Sequence, residues 1–173
     1  DKETAVRMHG KVRAAWDAAL AEKAKGVQAL SGEAREAAQA ELKWLHETDM
    51  AVVVSQGQNE IADMAAKGLD IRPHRERIVK EDLDEKFKAP ADPLRLVFVC
   101  AMWITGFDVP TCSTVYLDKP MKNHTLMQTI ARANRTAPGK SAGLIVDYVG
   151  VFRNLQKALA IYAQPYAEGY VPF

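Results

Sequence analysis

Residues 128–143 contain two patterns that each suggest phosphate chemistry, QTIARANR and GKS. In the first, Gln128, Arg132 and Arg135 are spaced i, i+4 and i+7, so on a continuous helix they share one face. Two guanidinium groups on one face suit recognition of phosphate oxygens. The same spacing also fits a solvated basic stripe near a helix C-terminus, where arginines favour the dipole. The residues expected to pack on the opposite side are Met127, Ile130 and Ala131.

The second pattern, Gly139-Lys140-Ser141, has the last three residues of a phosphate-binding loop. Such a loop needs an earlier glycine, follows a strand and opens a helix. Here Asn134 occupies the glycine position, a predicted helix precedes the triplet and a predicted strand follows it. The triplet is therefore predicted to be a turn between helix and strand. Without such a loop the chain lacks the parts that hydrolyse a nucleotide, but its arginines could reach one bound elsewhere.

A third candidate is the turn Thr105-Gly106-Phe107-Asp108, which follows a strongly apolar run. Gly106 allows a tight turn and close approach of a ligand, and Asp108 places an acceptor at the exit of the strand. Taken alone, the pattern favours an ordinary turn with a hydrogen bond from the aspartate.

The elements around these residues are typical of an α/β protein. Residues 1–49 predict two helices, with Ser31 as the N-cap of the second. Residues 50–150 alternate apolar strands (MAVVVS, LRLVFVCAM, TVYLD, AGLIVDYV) with helical segments (QNEIADMAAKG, KEDLDEKFK, NHTLMQTIARANR). Near-continuous apolar strands alternating with helices predict a three-layer domain with a mostly parallel sheet. Residues 151–173 predict a final helix and an exit segment.

The overall charge argues against binding of nucleic acid by the whole surface of the chain, and the cysteine spacing argues against a metal site. The net charge is +1, from 23 basic and 22 acidic residues, so any contact with nucleic acid must be local. Cys100 and Cys112 are the only cysteines and lack the spacing of zinc ligands, so no metal site is predicted. A reducing, cytoplasmic setting fits best, and no apolar stretch approaches the ~20 residues of a membrane span.

One segment resembles helicase motifs V and VI of superfamily 2, as found in the restriction (motor) subunit of type I restriction-modification enzymes. It reads VFVCAMWITGFDVPTCSTVYLDKPMKNHTLMQTIARANRTAPGKSAGLIVDYVGVFRNLQKALAIY. The resemblance continues more weakly through DLDEKFKAP and MAVVVS to the N-terminal helix. It implies the second RecA-like lobe of an ATP-driven double-stranded DNA translocase. The strand expected to open that lobe is missing before residue 1, so the chain is expected to be a piece of a larger subunit.

The resemblance assigns roles to individual residues. Arg132 and Arg135 match the two motif VI arginines that reach ATP bound to the first lobe, and Gln128 matches the residue opening that motif. Gly106 and Asp108 match the motif V turn, whose aspartate helps to bind ribose. The two residues implied as DNA contacts are Thr105, at that turn, and Ser55, at the end of the first predicted strand.

The resemblance also implies cofactors and partners. ATP and Mg²⁺ would be bound mainly by the first lobe, and the nuclease domain would belong to the same subunit. Double-stranded DNA and the modification and specificity subunits would be further partners. Alone, the chain is expected neither to hydrolyse ATP nor to cut DNA.

Three other interpretations stay open on the sequence. The chain could be the second lobe of another superfamily 2 DNA helicase, or a non-catalytic module whose basic helix docks a protein or nucleic acid. It could also be a free-standing α/β enzyme that uses Asp108, His124 or Asp147, although His124 has no nucleophile or metal partner at useful spacing.

Overall fold

The computed structural model describes residues 1–103, 106–121, 123–153 and 156. The chain divides into two compact units, Asp1–Phe107 and Asp108–Phe173. We refer to them as unit 1 and unit 2. None of the helices in the described ranges has both the length and the apolar character needed to cross a bilayer.

Unit 1 begins with the predicted pair of helices, α1 (Lys2–Val27) and α2 (Gly32–Glu47). The Asp1 side chain caps α1 by accepting a hydrogen bond from the Thr4 amide at 2.7 Å. Ser31 occupies the N-cap position of α2 as predicted, but its side chain makes no capping hydrogen bond. An ion pair between Lys23 and Glu41, 2.7 Å apart, connects the two helices.

The sheet of unit 1 pairs β1 (Asp49–Val54) in parallel with β2 (Leu94–Cys100). Side chains alternate along β1, as strand geometry requires. Val52 and Val54 pack in a cluster with α1, whereas Ala51 and Val53 pack in a second cluster with α5 (Leu83–Lys88). Helices therefore cover both faces of this sheet, which makes unit 1 a three-layer α/β arrangement.

Two further helices complete unit 1, α3 (Glu60–Ala65) and α4 (Arg72–Lys80). The sequence does not predict α4, because Ile78 and Val79 are its only apolar side chains apart from a proline in the first turn. Ile78 packs against the cluster that contains Ala51 and Val53, and ion pairs attach the helix further. Arg77 bonds to Asp49 at the start of β1 at 2.5 Å and to Glu81 at 2.7 Å.

Unit 2 contains β3 (Thr114–Leu117), α6 (Asn123–Ala133) and β4 (Leu144–Asp147). The two strands are parallel, with Thr114 opposite Leu144 and Leu117 opposite Asp147. The core of unit 2 joins Leu117 of β3 to Leu126 of α6, and both are almost completely buried. A parallel pair connected through a helix is the arrangement that the alternating pattern predicts.

The predicted α/β class is confirmed, with strands at all four predicted positions and parallel pairing in both units. The described strands form two pairs. Of the predicted C-terminal segment, residues 151–153 are helical, and residues 154, 155 and 157–173 lie outside the described part.

Candidate functional site

α6 presents Gln128 and Arg132 on successive turns. The buried face of the helix carries Leu126 and Thr129, with Ala133 at its end, all at most 4% exposed. Gln128 is exposed and Arg132 is half-buried. The prediction that Met127 packs inward is wrong, since it is 54% exposed, and Ala131 is also exposed.

Arg135 lies beyond the end of α6, so the prediction that it shares a helical face with Gln128 and Arg132 is wrong. α6 ends at Ala133. The chain then turns toward β4, and Pro138 disfavours helical conformation in the residue before it. The sequence spacing alone could not show this, because the alanine-rich and arginine-rich run is compatible with a longer helix.

The Arg135 guanidinium donates a hydrogen bond to Asp108 Oδ2 at 2.7 Å, which brings together two candidate residues that are 27 positions apart. Their side chains are 48% and 53% exposed. An ion pair this exposed typically contributes at most about 1 kcal/mol, so Arg135 can exchange Asp108 for another anion at small cost. The contact therefore keeps Arg135 close to Asp108 but does not prevent it from binding another anion.

Aromatic side chains surround the residue before Asp108. Phe107 is 8% exposed and stacks on Trp103, with ring centroids 4.3 Å apart. Phe87 of α5 lies beside both rings, and the Lys88 ammonium is 5.3 Å from the Phe107 centroid. Trp103 and Ala101 both have positive φ, at 65° and 62°. Strained backbone of this kind is found at functional sites, and the sequence carried no signal for it.

Gly106 and Ser55 both lie outside the strands. Gly106 has φ 76°, a value that favours glycine. Ser55 follows the last residue of β1 directly and is exposed. The candidate DNA contact Thr105 lies outside the described residues.

The Gly139-Lys140-Ser141 triplet forms the predicted turn between α6 and β4. Ala137 and Lys140 exchange backbone hydrogen bonds, and between them lie Pro138 and Gly139, the latter with φ 76°. Proline followed by a glycine of positive φ is typical of a type II turn. Lys140 Nζ donates to the Pro110 carbonyl at 2.8 Å, so this lysine has a structural partner.

Asp147 binds backbone amides. Its carboxylate accepts hydrogen bonds from Phe152 N at 2.9 Å and Val149 N at 3.0 Å, and the bond from Phe152 is the main reason that its pKa is lowered. Of the residues considered for a free-standing enzyme, Asp108 and Asp147 thus bond to other protein groups. The side chain of His124 lies outside the described part. Within the described ranges, no group of three or more His, Cys, Asp or Glu residues is arranged to hold a metal ion.

Residues 34–150 match the family model described as type I restriction enzyme subunit R domain 3. The chain belongs to this family. The match covers the parallel strands, α6 and the contact between Asp108 and Arg135. None of the solved structures matches the chain.

Two relatives illustrate how close the similarity is. The type I restriction enzyme HindI endonuclease subunit of Haemophilus influenzae is 53% identical over 93 residues, which are 52% of this chain and 9% of the relative. A protein of Methanocaldococcus jannaschii, provisionally named the type I restriction enzyme MjaIXP endonuclease subunit, is 50% identical over 95 residues, 54% of this chain and 9% of the relative. The matched segment thus spans about a tenth of the length of these curated relatives.

Proposed function

We propose that this chain is the second RecA-like lobe of the motor in the R subunit of a type I restriction enzyme. In this role it would help to move double-stranded DNA at the expense of ATP, leading to DNA cleavage by another part of the subunit. Membership of the R-subunit family and the α/β fold with parallel strands support the proposal. The observation that carries it is the contact between Arg135 and Asp108.

That contact joins the two parts of the chain to which separate nucleotide roles are assigned. Asp108 belongs to the turn that would bind ribose, and Arg135 belongs to the segment that would reach phosphate. One nucleotide carries both ribose and phosphates, so a site that binds it needs both residues within the length of the nucleotide. Their contact at 2.7 Å meets that requirement and supports a shared site.

The described residues fit the phosphate end of a nucleotide. Gln128 can donate or accept hydrogen bonds, and Arg132 and Arg135 carry fixed positive charge. The two arginines would stabilise negative charge that develops on the transferring phosphoryl group, as arginine fingers do. Bound ATP with Mg²⁺ would supply the free energy of phosphoryl transfer, and we assign the magnesium ligands to the first lobe.

DNA contact would fall to residues at the carboxyl ends of the strands, where ligands of α/β sheets bind. Thr105 and Ser55 are the proposed contacts with the phosphate backbone. Hydroxyl groups bind phosphate oxygens without reading the base sequence. A motor that moves along any DNA requires contacts of this kind, and recognition of a particular sequence would belong to the specificity subunit.

The proposal is tested by Arg132→Ala in the full-length R subunit, assembled with its modification and specificity subunits. We expect the rate of DNA-dependent ATP hydrolysis to fall by about 10³-fold or more, because an arginine finger contributes on that scale. Translocation should be lost in parallel. Arg35→Ala is the matched control, since Arg35 is exposed on α2 and has no proposed contact with nucleotide.

Wild-type ATPase and translocation in Arg132→Ala would refute the assignment. The isolated chain offers a second test, because it should show neither ATP hydrolysis nor DNA cleavage. Hydrolysis by this chain alone, abolished by Asp108→Ala, would favour a free-standing enzyme instead.

A further inference from the structure

The loop that follows β1 has an unusual composition, Ser-Gln-Gly-Gln-Asn at residues 55–59. Every side chain in it is polar and uncharged, and all four are exposed. Serine, glutamine and asparagine are residue types that bind the sugar-phosphate backbone of DNA. The loop also lies at the carboxyl end of a parallel strand, where ligands of α/β sheets bind.

Arg75 of α4 holds the start of this loop. Its Nη1 donates to the Val54 carbonyl at 2.8 Å, and its Nη2 donates to the Ser55 carbonyl at 2.7 Å. The side chain is only 16% exposed. Arg75 thus provides hydrogen-bond donors to two carbonyl groups at the end of β1. A neighbouring strand would otherwise have to provide such donors.

Glu60 holds the middle of the loop. Its Oε2 accepts from the Gly57 amide at 2.9 Å and from Arg75 Nη2 at 2.9 Å, while Arg75 Nε donates to its other oxygen. The Glu60 side chain is 10% exposed. The hydrogen bonds from Arg75 lower the pKa of Glu60, so its carboxylate stays ionised at neutral pH.

All four hydrogen bonds described for Arg75 thus go to protein acceptors, and its charge is balanced by Glu60. A guanidinium engaged in this way cannot serve as a phosphate contact without breaking a well-packed network. Together with Glu60, it fixes the backbone at the start and in the middle of the loop. A loop that is fixed before binding loses less conformational entropy when it binds a ligand.

We propose that Arg75 and Glu60 are positioning residues, which hold the loop at residues 55–59 in the shape that contacts the DNA backbone. The polar side chains of the loop are the contacts. The inference rests on the proposed function. It adds to that function two residues that do not touch DNA, and it extends the proposed DNA contact from Ser55 to the neighbouring residues of the loop.

The test uses the assembled enzyme with full-length R subunit and measures ATP hydrolysis against the concentration of double-stranded DNA. Arg75→Lys keeps the charge but cannot form the same forked set of bonds. We expect the half-saturating DNA concentration to rise about five- to tenfold, as for the loss of one or two hydrogen bonds, with the maximal rate nearly unchanged. Glu60→Gln keeps the shape of the side chain and should act in the same direction.

Arg72→Lys is the matched control. It lies on the same helix, and its ion pair with Asp70 is exposed, with the arginine side chain 66% accessible. We expect its half-saturating DNA concentration to stay at the wild-type value. If Arg75→Lys does not fold, Glu60→Gln decides the question by itself.

A double-mutant cycle separates positioning from general destabilisation. If Arg75 acts through the loop, Arg75→Lys should have a smaller effect once Gln56 and Gln58 are both replaced by Ala, because coupled residues are not additive. Additive effects, or a half-saturating concentration at the wild-type value in the folded Arg75→Lys and Glu60→Gln variants, would overturn the inference. The Arg132→Ala variant distinguishes a failure of this inference from a failure of the proposed function. If that variant loses ATPase activity, the proposed function stands even where the inference is overturned. If it keeps wild-type ATPase activity, the proposed function itself is refuted.

Discussion

Gly143 lies where the chain, on its way from α6 to β4, passes against the last turn of α6. A Cβ atom added there would overlap the carbonyl carbon and oxygen of Ala133 and lie 2.8 Å from the Ala133 Cβ. Ala133 is itself fully buried. Gly143 and Ala133 cannot move apart without opening a gap in the core of unit 2. Gly143→Ala should therefore destabilise that unit.

The size of the effect follows from the atoms that overlap. Real Cβ atoms essentially never lie closer than 3.0 Å to such neighbours, and the nearest ones here are backbone atoms, which no rotamer change can displace. Overpacking in a core typically costs about 1–3 kcal/mol, and backbone overlap places this substitution at about 2–3 kcal/mol. For a unit of this size the melting temperature should fall by roughly 8 °C or more.

The aromatic residues provide separate optical signals for the two units. All three tryptophans precede residue 108, and all five tyrosines follow it. Thermal unfolding of the chain can therefore be followed by tyrosine absorbance for unit 2 and by tryptophan fluorescence for unit 1. We expect Gly143→Ala to lower the tyrosine midpoint.

Gly10→Ala is the matched control, with the opposite expected sign. Gly10 lies inside α1, and an added Cβ there would meet nothing within 4 Å. Alanine is favoured over glycine in a helix by about 0.8–1 kcal/mol, so the tryptophan midpoint should rise. If Gly10→Ala behaves so and Gly143→Ala leaves the tyrosine midpoint unchanged, the close approach of Gly143 to α6 is wrong.

Two further predictions concern unit 1 and are read from its tryptophan signal. Arg77→Met removes the bonds to Asp49 and Glu81 and should lower the free energy of unfolding by about 2 kcal/mol. The loss is smaller than for a fully buried pair because the Arg77 side chain is 27% exposed. An unchanged tryptophan midpoint would contradict this prediction. Because Arg77 lowers the pKa of Glu81 to about 2, this stabilisation should be complete above about pH 4.5 and be lost as the pH falls toward 2. Burial, with His9 beside it, lowers the pKa of His74 to about 4, so the free energy of unfolding should fall as the pH drops from 6.5 toward 4. His74→Phe should flatten that part of the pH profile, and a slope equal to wild type would refute the assignment.

The sequence predicted most elements because their signals are local. The four strands are near-continuous apolar runs, and α1, α2 and α6 carry helical periodicity with strong helix-forming residues. α4 was not predicted because Ile78 is its one side chain in an apolar cluster, and polar contacts of Arg77 and Arg75 supply much of its attachment to the sheet. Such contacts leave no periodic pattern in the sequence.

The phosphate motifs show the same division. Neighbouring residue types and their order were enough to reject Gly139-Lys140-Ser141 as a phosphate-binding loop and to predict a turn. They were not enough for Arg135, whose position depends on where α6 ends. That end depends on the turn that follows and on the packing of Gly143 against Ala133, and the residue types within α6 do not show these contacts.

By itself, the sequence determined the α/β class, the positions of the strands and the resemblance to R subunits, because these depend on residue types at short spacing. The tertiary structure alone decided that Arg135 meets Asp108 and that Arg75 and Glu60 hold the loop after β1. These contacts join residues 15 to 27 positions apart. Only the packing of helices on sheets brings such residues together, and no short-range pattern encodes the distance between them.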